Sequence, residues 1–379
     1  MSIIRASLLA SLLATLPMAV LSCQNRSGGT AATAVVIAGD MTRPLPEDFH
    51  RGVNYAHIHS RGHGYGSEAS ARELDSLHRL GINWIAITPF GFQQAATADS
   101  IIGFPRKGDG PEASGRRDRS MNEDDIIAEV ATAHRLGIKV TMKPHIWSRD
   151  FWNGGEWQGT IRQNSPEEHA RWWSSFREFA LYYAGLSERS KADLFCIGTE
   201  LAGITPRYPD EWRGLIADIR KVYHGQLGYA AHWEHELDSV TFWDALDYIG
   251  ITAYFPLNVP DSASVDDLVR AWGPHRKRIE AIAARYNKPV LFLEAGYRPS
   301  TTTYRTPWVD QGGDPNPAMQ ARAYEAMFRA FHDAPWWRGV YFWKVFSDPA
   351  SAEEHGEDNG FSFRNMPAQD VVRRWFTAR

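Results

Sequence analysis

From about residue 48 onward, hydrophobic and polar positions repeat in a two-part pattern. A short apolar run comes first, and a longer stretch follows in which apolar residues recur every three to four positions. The short runs at residues 52–59, 82–90, 138–147, 193–201, 227–233, 248–255, 289–294 and 339–345 predict eight strands. The longer stretches predict helices over 70–80, 122–136, 166–188, 210–224, 265–286 and 317–332, a shorter helical stretch at 237–246 and a closing helix at 368–377. Local chemistry supports several of these boundaries. Ser70-Ala71-Arg72-Glu73 reads as a capping box, and Ser165-Pro166-Glu167-Glu168 joins an N-cap, a proline at the first helical position and a capping glutamate. Gly81 and Gly137 stand where two helices should stop.

Runs such as Val290-Leu291-Phe292-Leu293 are apolar throughout rather than alternating, so both faces of each strand are expected to be buried, as in a parallel sheet. Strand-then-helix alternation implies right-handed crossovers, and eight such units close into an α/β fold of the (β/α)8 TIM barrel type. An open doubly wound sheet is disfavoured. Gly62-His63-Gly64-Tyr65-Gly66 follows the first strand but lacks the G-x-G-x-x-G spacing of a phosphate loop.

The N-terminus follows another pattern. Arg5 precedes an apolar run from Ala6 to Leu21, shorter than the roughly 20 residues of a membrane span. It matches a secretory signal peptide. The run ends Val20-Leu21-Ser22-Cys23, which resembles a bacterial lipobox and implies cleavage before Cys23 and lipidation of its thiol. Residues 1–22 are therefore expected to be a lipoprotein-type signal peptide, 23–45 a flexible polar tether, and 46–379 one catalytic barrel. This places the protein outside the cytoplasm, lipid-anchored at a bacterial membrane facing periplasm or cell surface. Cys196, in an apolar strand, is the second of two cysteines, so no disulfide framework is expected.

Composition narrows the function classes. Of 379 residues 43% are hydrophobic and the net charge is −4, so nothing points to nucleic acid. Fifteen Trp and fourteen Tyr suit both a large core and a sugar-binding cleft.

In a barrel of this kind the C-terminal strand ends and the loops after them form the working face. Reading those ends places Tyr55, Lys143, His145, Trp147, Glu200, His232, Tyr254, Glu294 and Trp343 around one mouth. Glu200 and Glu294 close the fourth and seventh strands, which lie across the mouth from each other. A charged carboxylate is costly at the end of a buried strand unless solvent, partners or a ligand receive it. Two of them flanking one bond are the minimal apparatus of glycosidic hydrolysis. Aromatic faces and scattered polar groups complete a site suited to a neutral polyol.

Gly52-Val53-Asn54-Tyr55, Lys143-Pro144-His145, Ile197-Gly198-Thr199-Glu200-Leu201 and Leu293-Glu294-Ala295-Gly296-Tyr297 resemble glycoside hydrolase family 113, in clan A of the retaining glycosidases. The resemblance runs over roughly residues 48–348, and the family's best-known members are β-1,4-mannanases. It implies that Glu200 is the general acid and then the base, and that Glu294 is the nucleophile. It implies that Tyr254 hydrogen-bonds Glu294 and that Trp343 forms the aromatic floor of the adjacent sugar subsite. Lys143, His145 and His232 become contacts for hydroxyls or a carboxylate, with Trp147 and Tyr55 further lining residues. In one place the chain departs from the pattern. Many clan A enzymes carry Asn immediately before the acid/base, where it contacts the sugar 2-hydroxyl, and here Thr199 stands instead.

The chemistry asks two like residues for different protonation states, so a bell-shaped pH profile is expected. No H-E-x-x-H motif or cysteine cluster is present, so no catalytic metal or cofactor is expected. The acidic segment at residues 353–359 reads as a solvated loop rather than a calcium site. The expected substrate is β-1,4-mannan or manno-oligosaccharide. The alternatives are a β-glycosidase for another hexose or amino sugar, or a non-catalytic glycan-binding lipoprotein on the same barrel.

Overall fold

The computed structural model describes residues 44–60, 62–103, 121–153, 155–354 and 360–378. The expected signal peptide, Cys23, residues 23–43 of the expected tether and most of the 353–359 loop lie outside the described residues, and Leu45, at the end of that expected tether, is buried in the core. Ten strands are present among these: β1 (His50–Ala56), β2 (Trp84–Ile87), β3 (Phe90–Gln93), β4 (Lys139–Met142), β5 (His145–Ser148), β6 (Leu194–Thr199), β7 (Gln226–His232), β8 (Tyr248–Thr252), β9 (Val290–Ala295) and β10 (Trp337–Phe346). Eight of them close a parallel barrel in the order β1-β10-β9-β8-β7-β6-β4-β2. That is the (β/α)8 TIM barrel expected from the alternation.

The second and third expected strands are each broken in two. Pro89 and Pro144 interrupt the runs, and the residues beyond them, β3 and β5, pair with each other as a separate two-stranded sheet. Proline cannot donate to the barrel ladder, which accounts for the break.

The helices are α1 (Glu68–Arg79), α2 (Glu123–Arg135), α3 (Pro166–Ser190), α4 (Pro209–Ile219), α5 (Val265–Tyr286), α6 (Pro317–Phe331), α7 (Pro349–Glu354) and α8 (Pro367–Thr377). Ser67, not Ser70, caps α1, its side chain accepting from the Ser70 N–H. Ser165 caps α3 as expected, although the Glu168 carboxylate reaches back to the Asn164 N–H. Each such cap is worth about 1 kcal/mol. The helical stretch expected at 237–246 is turns plus one short 3-10 segment, Trp243–Ala245. Its apolar residues Leu237, Val240, Phe242 and Trp243 are buried all the same, so an irregular segment can carry a helix-like pattern.

The core has two layers. Trp84, Ala86, Leu194, Cys196, Ala230, Leu291, Leu293 and Tyr341 form one cluster filling the barrel. A larger cluster packs the outer strand faces against the helices.

The register slips on the strands that matter for the site. Phe292 pairs with Ile251 and Glu294 with Thr252, so β9 carries one more residue than β8 across that step. The same surplus appears against β10, where Phe292 and Ala295 oppose Val340 and Phe342. On β6, Cys196 and Thr199 oppose Gly228 and Ala230 of β7, again one residue extra. On β10, Phe342 and Val345 oppose Val53 and Tyr55 of β1. A bulge re-aims the side chains that follow it. Here bulges stand at the ends of the strands bearing Glu200, Glu294 and Trp343.

Candidate active site

Glu294 lies within β9, just after its bulge, and is only 6% exposed. Its carboxylate is held by two donors. The Lys143 Nζ contacts Oε1, and the Tyr254 hydroxyl donates to Oε2 at 3.2 Å. Lys143 is completely buried, and its ammonium also donates to the Asn54 Oδ1 at 2.9 Å. Asn54 in turn donates to the backbone carbonyls of Leu293 and Tyr341 at 3.0 and 3.1 Å. A chain of bonds therefore runs from β1 through Lys143 to the carboxylate on β9. The Ala253 N–H donates to the Glu294 carbonyl at 2.7 Å, which fixes the backbone below. Gly296, two residues on, passes so close to the Trp343 carbonyl that a Cβ there would stand 2.7 Å from it.

Glu200 follows β6 directly. Its backbone is left-handed, with φ of +54°, a region non-glycine residues seldom occupy. Its N–H donates to the Ala230 carbonyl at 2.9 Å. The side chain is half-buried at the mouth. Burial pushes its carboxyl up to about 8, and the Glu294 charge is the next contribution in the same direction. The Thr252 hydroxyl and the Lys143 charge pull it back by less. The site thus separates two carboxyls. One is flanked by a cation and a phenol, the other holds its proton near neutral pH. Burial and both glutamates hold the Tyr254 phenol well above its ordinary value, so it remains a donor.

The aromatic and imidazole groups stand around this pair. Trp343 is half-buried and stacks on His145, with ring centroids 6.0 Å apart and planes 21° from parallel. The Trp343–Lys344 peptide is cis. The His145 Nε2 is buried, lies 3.8 Å from the Glu294 Oε1, and has no hydrogen-bond partner among the described residues. Burial, with Lys143 and Lys344 beside it, holds this imidazole well below its ordinary pKa, so it is neutral. His232, at the end of β7, has its Nδ1 occupied by the N–H groups of Glu234 and His235, and its ring lies 4.7 Å from that of Trp157. Trp147 is half-buried on β5, edge-on to Phe90 and Phe151.

Two of the expected substrate contacts take other places. Tyr55 is fully buried on the helix side of β1, its hydroxyl bonded to the Ser70 carbonyl and hydroxyl at 3.2 and 2.9 Å, so no ligand in the mouth can reach it. Adjacent strand residues face opposite sides, and Asn54 takes the inward position. Lys143 has no free face either. It serves Glu294 and Asn54 rather than a sugar hydroxyl.

Asn54 is a site residue that strand ends do not reveal. Asn54 had a detectable signal, a single amide inside an apolar strand.

A family model for Glycoside Hydrolase Family 113 matches residues 53–365. A β-mannanase of that family, AaManA from Alicyclobacillus acidocaldarius in complex with ManMIm, superposes with a TM-score of 0.72 at 28% identity, over 87% of this chain and 97% of that one. A complex structure of a GH113 β-1,4-mannanase gives 0.73 at 24% identity, over 87% and 99%. A family 5 mannosidase from Rhizomucor miehei gives 0.57 at 12% identity, over 86% and 92%. The last two likenesses bear on fold alone. No curated protein matches the chain.

Proposed function

Because the chain belongs to glycoside hydrolase family 113, we propose that this glycoside hydrolase cleaves β-1,4-mannan or manno-oligosaccharides with retention, using Glu294 as nucleophile and Glu200 as acid/base. The observation that carries the reading is the contrast between the two carboxyls. Glu294 has the Lys143 ammonium on one carboxylate oxygen and the Tyr254 hydroxyl on the other. Glu200 holds its proton to about 8, ready to protonate the departing oxygen.

In the first step Glu294 attacks the anomeric carbon as Glu200 gives its proton to the leaving oxygen, forming a glycosyl ester on Glu294. Esterification removes the negative charge that helped to raise Glu200, so Glu200 becomes a base suited to deprotonating water. Water then attacks the anomeric carbon and Glu294 leaves as carboxylate. Trp343 offers an aromatic face to the sugar at this carbon, and the unpartnered His145 Nε2 is suited to accepting or donating one hydroxyl bond. The mannan preference is supported by the family 113 β-mannanase AaManA among the structural relatives.

Azide rescue tests the roles. Glu294→Gly with azide should give a glycosyl azide of inverted anomeric configuration, and Glu200→Ala with azide a retained one. The opposite pattern overturns the assignment. Hydrolysis of β-mannan oligosaccharides and a panel of aryl β-glycosides tests the substrate, and binding without turnover on any of them would favour a glycan-binding role. We further propose export and anchoring through a lipid on Cys23, supported by the apolar run before it.

A further inference from the structure

Glu236 is completely buried, stands in the turn after β7, and has no part in the reaction just described. Its carboxylate accepts from the Tyr229 hydroxyl at 2.5 Å and from the His232 N–H at 2.9 Å. The Tyr229 hydroxyl accepts from the Leu201 N–H at 3.0 Å and pairs with the Thr205 hydroxyl at 2.9 Å. Tyr229 itself lies on the helix side of the barrel wall, edge-on to Trp212 and Phe242. A carboxylate sunk into such aromatic packing is costly relative to an apolar residue unless its bonds offset the burial.

Leu201 directly follows Glu200. A non-glycine residue in the left-handed region is strained and persists only where its surroundings fix it. Two bonds do so here. The Glu200 N–H is tied to the Ala230 carbonyl, and the next N–H, that of Leu201, is tied to Tyr229. Glu236 orients the Tyr229 hydroxyl by accepting its hydrogen bond, which leaves an oxygen lone pair for the Leu201 N–H.

We propose that Glu236 is a positioning residue for Glu200: through Tyr229 it fixes the left-handed turn that aims Glu200. The inference rests on the reading of Glu200 as acid/base. Burial pushes the Glu236 carboxyl up to about 7, and its charge is one of those that raise Glu200. Around Glu200 the other groups are Glu294 from β9, Lys143 beyond β4, Thr252 of β8 and Tyr254 beyond it. Around Glu236 they are Tyr229, Thr205 and the His232 N–H.

The test compares wild type, Glu236→Gln, Tyr229→Phe and Glu200→Ala on aryl β-mannobiosides with 4-nitrophenol or 2,4-dinitrophenol as leaving group. The dinitrophenolate departs without a proton, so kcat/KM on that substrate does not depend on the acid. In Glu236→Gln the alkaline limb of kcat/KM should fall by about 0.5 pH unit, with KM changed less than threefold, because a nearby negative charge is gone. In Tyr229→Phe, kcat/KM should fall at least 10-fold on the 4-nitrophenyl substrate and less than threefold on the dinitrophenyl one.

Circular dichroism identifies which variants fold, and either folded variant decides the matter. An unmoved alkaline limb in Glu236→Gln, or an equal loss on both substrates in Tyr229→Phe, overturns the inference while leaving Glu200 as acid. If Glu200→Ala itself loses both activities equally, the role of Glu200 fails, and this inference with it.

Discussion

Lys143→Met should destabilise the fold by about 3–5 kcal/mol at pH 7, most of it through Glu294. The lysine side chain has no solvent contact and its ammonium lies against a carboxylate that is 6% exposed. Methionine fills a similar volume, so little of the loss is cavity formation. Two groups lose their partner. The Asn54 Oδ1, bonded to Lys143 at 2.9 Å, is left as a buried acceptor, at a cost of about 1–3 kcal/mol. The Glu294 carboxylate retains only Tyr254 at 3.2 Å, and removing one partner of a buried ion pair costs about 3–5 kcal/mol in all. A double-mutant cycle separates these contributions. In a Glu294→Gln background Lys143 is itself a buried cation with no counter-charge, so Lys143→Met should cost about 0 kcal/mol or less, relief of that charge offsetting the stranded Asn54 acceptor. The expected coupling between positions 143 and 294 is therefore at least about 3 kcal/mol, read from urea or thermal unfolding of the four proteins. Equal destabilisation by Lys143→Met in both backgrounds would refute the reasoning and make the lysine a packing residue.

Other expectations follow from the same geometry. Tyr254→Phe removes one donor to a charged carboxylate, worth about 1.5–3 kcal/mol, so kcat/KM should fall by about 10- to 150-fold with the fold intact by circular dichroism. A loss below threefold would count against that bond. Stability should peak between roughly pH 5 and 6.5. The carboxyls of Glu129 and Glu236 are raised to about 7 and that of Glu200 to about 8, so their contribution is lost as pH rises from the ordinary 4.5 through those values. Burial holds His50, His57 and His232 at about 3, so the unfolded chain takes up protons first and stability falls as pH drops from 6.5. A thermal midpoint that rises steadily from pH 5 to 8 would contradict this balance. Cys23→Ser should move the protein from the membrane fraction to the soluble fraction of a bacterial host, and an unchanged distribution would exclude the lipid anchor.

The apolar runs made the barrel legible because burial on both faces is a local property of a strand, visible as an unbroken stretch such as residues 290–293. The two carboxylates were legible for the same reason, since each breaks such a stretch at its end. What periodicity cannot show is the face on which a residue emerges once the register slips. Strict alternation from Leu291 and Leu293, both inside the barrel, would send Glu294 outward to the helices. The extra residue that β9 carries against both neighbours turns it back to the mouth. On the opposite wall strict alternation from Leu194 and Cys196 already gives Glu200 the inward face, but a bulge lies between Cys196 and Thr199 and a left-handed backbone follows at Glu200, so alternation alone does not set its aim.

The partners of the carboxylates are hidden for a related reason. Asn54 lies 89 positions from Lys143, and Lys143 lies 151 from Glu294, so the bonds among them exist only because a closed barrel brings β1, β4 and β9 round one axis. A slip that turns a glutamate inward would be destabilising on its own. It is tolerated where a lysine and a tyrosine from other strands receive the charge. Deleting Leu293 removes the extra residue but sets Glu294 directly after the outward-facing Phe292, so alternation still turns it inward, opposite Thr252, and the Lys143 pair is kept. The deletion should then cost mainly the buried Leu293 side chain, about 2–5 kcal/mol. Lys143→Met should cost about 3–5 kcal/mol in that background as in wild type, and a cost near zero would show that the ion pair needs the bulge.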